Sequence, residues 1–135
     1  MMFPHKVSVF NIKNTDDEEI ITKTLLIGVL FVKDENTSRG NLGLAEDDTV
    51  GIYIPKKVDS NGSKYINPFE YESLSKEDLS KFYTFNKGDY VSFGDISIEG
   101  VSVNDFKNKY GNLYEITKVS DYNYGGLKHF EICAR

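Results

Sequence analysis

Residues 36–55 read NTSRGNLGLAEDDTVGIYIP, a polar, glycine-bearing tract running into a strictly alternating strand. Val50, Ile52 and Ile54 fall on one side of that strand, with Thr49, Gly51 and Tyr53 on the other. Pro55 ends it, because proline has no N–H to give a ladder. Alternation of this kind belongs to a sheet with one buried face, so the segment marks a β protein. The tract before it, residues 34–48, reads as one long loop. About 15 residues without a core pattern is long for a small domain, and such tracts usually carry function or are disordered.

The flanking sequence continues the theme. Residues 6–13 form a first strand whose apolar residues fall on two phases, Val7 and Val9 against Phe10 and Ile12, which calls for a bulge or a face switch. Residues 20–32 form one long strand or two, with Gly28 as the natural kink. The cluster Asp59-Ser60-Asn61-Gly62 is turn chemistry, and residues 56–66 read as a hairpin around it. Two short helices are expected. In the first, Ser75 caps and Leu79, Phe82 and Tyr83 form the apolar face. In the second, Ser102 caps and Phe106 and Tyr110 line up before Gly111. Between the two helices, strands are expected at residues 89–93 and 95–98. The C-terminal hairpin pairs 113–119 with 127–133 across the turn sequence DYNYGG. The expected fold is mainly β: a small antiparallel β-barrel or sandwich with two short peripheral helices and one long loop, formed by residues 1–135 as a single domain.

A chain of 135 residues, 39% hydrophobic and 27% charged, has enough apolar surface for one core and is neither a membrane nor a disordered composition. The apolar run at residues 24–32 is far too short to span a bilayer. With a single cysteine, Cys133, no intramolecular disulfide can form, and cytoplasmic synthesis is expected. Sixteen basic against twenty-one acidic side chains leave a net charge of −5, with acids bunched at Asp16-Asp17-Glu18-Glu19 and Glu46-Asp47-Asp48. A protein that grips phosphates presents the opposite sign, so tight nucleic-acid binding is not expected.

No catalytic constellation emerges. His5 and His129 stand at opposite ends of the chain and meet only if the first and last strands pair; neither has metal-ligand spacing around it. His129 alternates with Phe130 and is expected to face solvent. Cys133 has no adjacent base and reads as a buried or half-buried inert thiol. The serines lack a nucleophile context, and the acidic clusters lack the oxygen spacing and central glycine of a calcium loop. No catalytic residue, cofactor or metal is expected. Nine Tyr and nine Phe allow a stacking platform, although Phe in the core with Tyr at its rim is the simpler arrangement. Tyr122 and Tyr124, at the hairpin tip, are the best candidates for contact residues.

Several stretches are similar to a group of small tailed-phage proteins, the minor capsid or head–tail joining (neck connector) family. They are FPHKVSVF (residues 3–10), Gly28-Val29-Leu30, LAEDDTVGIYIP (44–55), Lys64-Tyr65-Ile66 with Pro68, and Lys87-Gly88-Asp89-Tyr90-Val91. ITKVSDYNYG (116–125) and the terminal HFEI complete the set. The resemblance covers nearly the whole chain and rests on strands and turns. It implies a structural virion protein of a tailed phage or prophage, made in the bacterial host cytoplasm, with no enzyme activity. Such a protein forms a homo-oligomeric ring, six- or twelve-fold, at the head–tail junction as a head-closure or stopper-type connector. DNA passes through it without specific binding, neighbouring neck and tail proteins flank it, and no membrane is involved. The expected subunit or channel contacts are Arg39, Asn41, Leu44, Glu46, Asp47 and Asp48 in the long loop, with Tyr122 and Tyr124. The alternatives are a tail-terminator or adaptor ring of the same neck, or a small β-barrel binding module for single-stranded nucleic acid or glycan.

Overall fold

Six strands pair edge to edge until the ring closes. In a computed structural model that describes residues 3–14, 19–34, 49–96, 113–123 and 128–135, they are β1 (His5–Asn14), β2 (Glu19–Asp34), β3 (Thr49–Pro55), β6 (Tyr90–Phe93), β7 (Leu113–Tyr122) and β8 (His129–Ala134). Around the barrel the order is β1-β2-β3-β8-β7-β6, and every neighbouring pair is antiparallel. The mainly β, antiparallel expectation holds. The remaining short strands, β4 (Lys64–Tyr65) and β5 (Phe82–Tyr83), form a separate parallel pair in the excursion between β3 and β6.

Two strands turn the corners of the barrel, and each carries an extra residue where it changes partner. On β2 the register against β1 slips by one between Val29 and Ile27. The residue passed over is Gly28, at φ +99°, a backbone conformation that glycine adopts without the Cβ penalty. Below it β2 pairs with β1, and from Leu30 onward it pairs with β3. On β7 the slip lies between Ile116 and Lys118, so Thr117 is the extra residue as the strand leaves β6 for β8. The kink expected at Gly28 is therefore a bulge inside one continuous strand.

The barrel interior is the core. Val7, Val9, Leu26, Val29, Val50, Ile52, Ile54, Val91, Ile116, Phe130 and Ile132 are all buried within it. β3 alternates as its sequence demands, with Val50, Ile52 and Ile54 inward. The two phases of β1 have a different cause from the one expected. Its register against β2 is unbroken from Lys6 to Asn14, so no bulge or face switch interrupts it there. Val7 and Val9 face the barrel interior, while Phe10 and Ile12 pack outside with Ile21, Tyr90, Ile96 and Leu113. Both faces of the strand are covered. Ser8 fastens the outer layer: its hydroxyl donates to the Gly94 carbonyl at 2.6 Å and accepts from the Ile96 N–H at 3.0 Å.

The excursion at residues 56–89 closes one end of the barrel, and here the structure departs from two sequence expectations. Residues 56–66 do not form a hairpin. The turn itself is present, with Asn61 at φ +56°, Gly62 at φ +93° and Ser63 N–H donating to the Ser60 carbonyl at 3.2 Å, a mirror-image turn in which both central residues need positive φ. Its outgoing arm, however, is engaged by β2, through Ile27 N–H to Asp59 O at 2.8 Å and Asp59 N–H to Ile27 O at 3.3 Å. The returning arm pairs in parallel with Phe82–Tyr83 instead. Gly62 has open space around an added Cβ, so only backbone strain opposes a side chain there. Gly62→Ala is expected to lower stability by about 1–2 kcal/mol in chemical denaturation.

The helix expected from Ser75 is also displaced. A five-residue helix, α1 (Pro68–Glu72), starts earlier. Asn67 caps it, accepting from the Glu70 N–H at 2.8 Å while its amide donates to the Glu70 carboxylate at 2.7 Å, and Pro68 occupies the first helical position. Residues 75–78 make a turn leading into a 3-10 turn at Leu79–Lys81. Phe82 and Tyr83 are then extended, because Tyr83 and Phe85 must alternate into the core. Residues 95 and 96 are not a strand. Of the loop expected at 34–48, Asp34 is the last residue of β2; its residues 35–48, the expected helix at 102–111 and the rest of the 95–98 segment lie outside the described residues.

Candidate interaction surface

The outer wall of β2, β3 and β8 carries the most distinctive surface. Gly51 of β3 pairs with Val32 of β2 on one side and Cys133 of β8 on the other, and the next outward level is Leu30, Tyr53 and Glu131. Because Gly51 has no side chain, these neighbours border an open apolar notch of about 170 Å³, lined by Leu30, Val32, Gly51, Ile52, Tyr53, Glu131, Ile132 and Cys133. A Cβ built on Gly51 would meet nothing within 4 Å. Val32, at its edge, is 52% exposed, a large exposure for an aliphatic side chain in a strand.

Above the notch, three rings stack along the wall. Tyr53 lies 4.0 Å from His129 at an interplanar angle of 18°, and Tyr122 lies 4.8 Å from the other side at 16°. The cross-strand pairs Tyr53–Glu131, Pro55–His129 and Tyr122–His129 bring these rings to one level. Phe3 adds an edge contact to Tyr53 at 5.1 Å. His129 Nε2 meets the Glu131 carboxylate at 2.9 Å. The expectation that His129 faces solvent is thus corrected: it points outward from the barrel, but the tyrosines leave its side chain only 14% exposed.

The two histidines do not meet. β1 pairs with β2 and β6, whereas β8 pairs with β3 and β7, so the first and last strands are not neighbours. His5 instead accepts the Phe31 N–H on Nδ1 at 3.0 Å and packs edge-on against Phe93. Cys133 is exposed, which corrects the buried or half-buried expectation. The period of β8 places Phe130, Ile132 and Ala134 inward, and that leaves Cys133 outside. The division of aromatics is also less simple than Phe inside and Tyr at the rim. Tyr71 and Tyr83 are buried, while Phe69 is 87% and Phe93 48% exposed. Burial raises the phenol pKa of Tyr83 to about 12, with the nearby Tyr65 adding to it.

Of the residues expected to make contacts, only Tyr122 falls among the described residues, and its ring is stacked on His129. Arg39, Asn41, Leu44, Glu46, Asp47, Asp48 and Tyr124 lie outside them. Among the described residues no group of three or more His, Cys, Asp or Glu is placed to hold a metal ion. No helix among them is long and apolar enough to cross a membrane. The notch was not anticipated, although its signal was present: a lone glycine on the outward phase of β3, opposite an exposed-phase valine, is a missing side chain in an otherwise filled wall.

Comparison with known proteins gives a family without a function. No curated protein and no solved structure matches the chain. A family model matches residues 2–135, and the chain therefore belongs to that family, DUF6751, a family of unknown function.

Proposed function

We propose that the protein is a structural component of a tailed-phage or prophage virion, a ring of six or twelve copies at the head–tail junction around the DNA channel. Its role is that of a head-closure connector, and it needs neither catalysis nor a cofactor. The similarity in the strand and turn segments supports this reading, and one feature of the barrel carries it. The six strands close on one another, so the sheet ends in no terminal strand, although the β1–β2 and β7–β8 hairpins run on past their other partners. At one end, by contrast, β2 and β6 finish while β3 and β7 begin, so the connections spanning 35–48 and 97–112 both root there. A rigid barrel with two long connections rooted at one rim can grip neighbours through side chains and connections while the wall keeps its shape. Heterologous contacts between two different patches close into rings where the rotation permits. The net charge of −5 suits a protein past which a polyanion moves without sticking.

The binding-module alternative is weakened by the aromatic stack. A platform for bases or sugars needs open ring faces, yet the faces of His129 are covered by Tyr53 and Tyr122. Electron cryo-microscopy and sedimentation of the purified protein test the proposal. Closed rings of six- or twelve-fold symmetry are expected. A protein that stays monomeric at every concentration would refute it.

A further inference from the structure

We infer that copies of this chain join through Phe69 of one protomer seated in the Gly51 notch of the next. This deepens the ring reading and rests on it. Phe69 projects from α1 with 87% of its surface exposed, although it is a large apolar side chain on a short, well-capped helix. Tyr71, two residues on and about 200° round the helix, is the buried side chain of α1, so Phe69 is turned outward, and phenylalanine is enriched in the cores of protein interfaces relative to the rest of the surface. The notch is the matching recess. Its roughly 170 Å³ compares with the cavity of about 150 Å³ that holds a benzene ring. Leu30, Val32 and Ile52 give it an apolar lining, and Tyr53 supplies a ring to meet the phenyl group.

Charge agrees with this pairing. Phe69 is flanked on its helix by the exposed carboxylates Glu70 and Glu72. The exposed Lys118, paired directly with Cys133, and the exposed Arg135 edge the notch on its β7–β8 side. Among the residues lining the notch the acid is Glu131, and it is held against His129. Placement makes the contact intermolecular. α1 is tied to the far end of β1, where the Lys13 ammonium donates to the carbonyls of Glu72 and Leu74 at 2.9 and 2.7 Å. The notch lies at the opposite end of the barrel, near the start of β3 and the end of β8. Knob and recess are different patches on one molecule, so the contact is heterologous, the type from which rings are built.

Cys133 supplies the test, because the only native thiol lines the recess. In the Phe69→Cys variant the introduced thiol should sit beside Cys133 of the neighbouring copy. Treatment with diamide, which takes up two electrons and two protons as two thiols join, should give a ladder of disulfide-linked multimers on non-reducing gels. Adding Cys133→Ser should abolish the ladder. Separately, Phe69→Ala should dissociate the wild-type assembly and expose Cys133 to a maleimide, and filling the recess with Gly51→Val should also dissociate it. Circular dichroism should be unchanged in Phe69→Ala, since that side chain contributes little buried surface. Rings that persist in Phe69→Ala, or cross-linking that stops at dimers or fails, would overturn the knob-and-notch contact while leaving the ring itself standing. A monomeric wild type would remove both.

Discussion

Replacing Phe85 by alanine is expected to lower stability by about 3–5 kcal/mol, the range for deleting a fully buried aromatic side chain. Phe85 is 1% exposed and forms the plug of the barrel end closed by the excursion. Its ring lies 5.0 Å from Phe130, and 5.6 Å from both Tyr65 and Tyr83. Phe130 in turn carries the Lys56 ammonium 4.3 Å from its ring centre, and Lys56 reaches Asp121 at 2.7 Å. Removing Phe85 therefore opens a cavity where residues from the excursion, β3 and β8 converge, and rigid barrel strands cannot collapse into it. For a domain of this size the loss corresponds to a fall in melting temperature of roughly 10–18 °C. Phe85→Leu should recover part of it by refilling the volume. Thermal unfolding followed by circular dichroism measures both; a loss under about 1 kcal/mol for the alanine variant would mean that the excursion does not plug the barrel.

The contrast between Phe85 and β3 shows what the sequence could disclose. β3 is readable because one face is buried and one is not, and period-2 alternation then survives from Thr49 to Pro55. The C-terminal hairpin is readable for the same reason, with Phe130, Ile132 and Ala134 inward. β1 hides its geometry because both of its faces are covered, so two apolar phases overlap in one strand. The excursion is harder still. Its short elements gain their stability from tertiary contacts: β4 and β5 are two residues each, and their parallel pairing joins residues 18 apart in sequence. The capping signal Asn67-Pro68-x-Glu70 was nevertheless legible and marks α1, whereas the Ser75-to-Asp78 pattern produced only a turn. For the interaction surface, aromatic counting led to Tyr122, but the open recess comes from a residue with no side chain, Gly51.

Asp89 is the buried charge that should make stability depend on pH. Burial pushes its carboxyl up to about 6 from the ordinary 3.8; the Asn11 amide and the Ile12 N–H oppose the shift, and the Glu72 charge adds to it. One carboxylate oxygen accepts from Asn11 Nδ2 at 3.0 Å, and the other from the Ile12 N–H at 3.3 Å. Asn11 Nδ2 also donates to the Thr84 carbonyl at 2.7 Å, and the Asn11 side-chain oxygen accepts from the Thr84 N–H at 3.3 Å. The network ties the excursion to β1, but water no longer solvates the charge. Between pH 4 and 6 the folded protein holds a proton that the unfolded chain releases. This contribution to stability is therefore fully present below pH 3.8 and is lost as pH rises through about 6. A shift of about two units makes the change between pH 4 and pH 7 roughly 2–3 kcal/mol. Surface carboxylates also titrate in this range, so the measurement is the difference in denaturation free energy between wild type and Asp89→Asn at each pH. The asparagine cannot ionise, and its amide can serve only one of the two donors with an acceptor. Wild type should gain on the variant as the solution is acidified from pH 7 to pH 4. A constant difference across that range would show that Asp89 titrates as an ordinary solvated carboxylate and that the Asn11 network carries no buried charge.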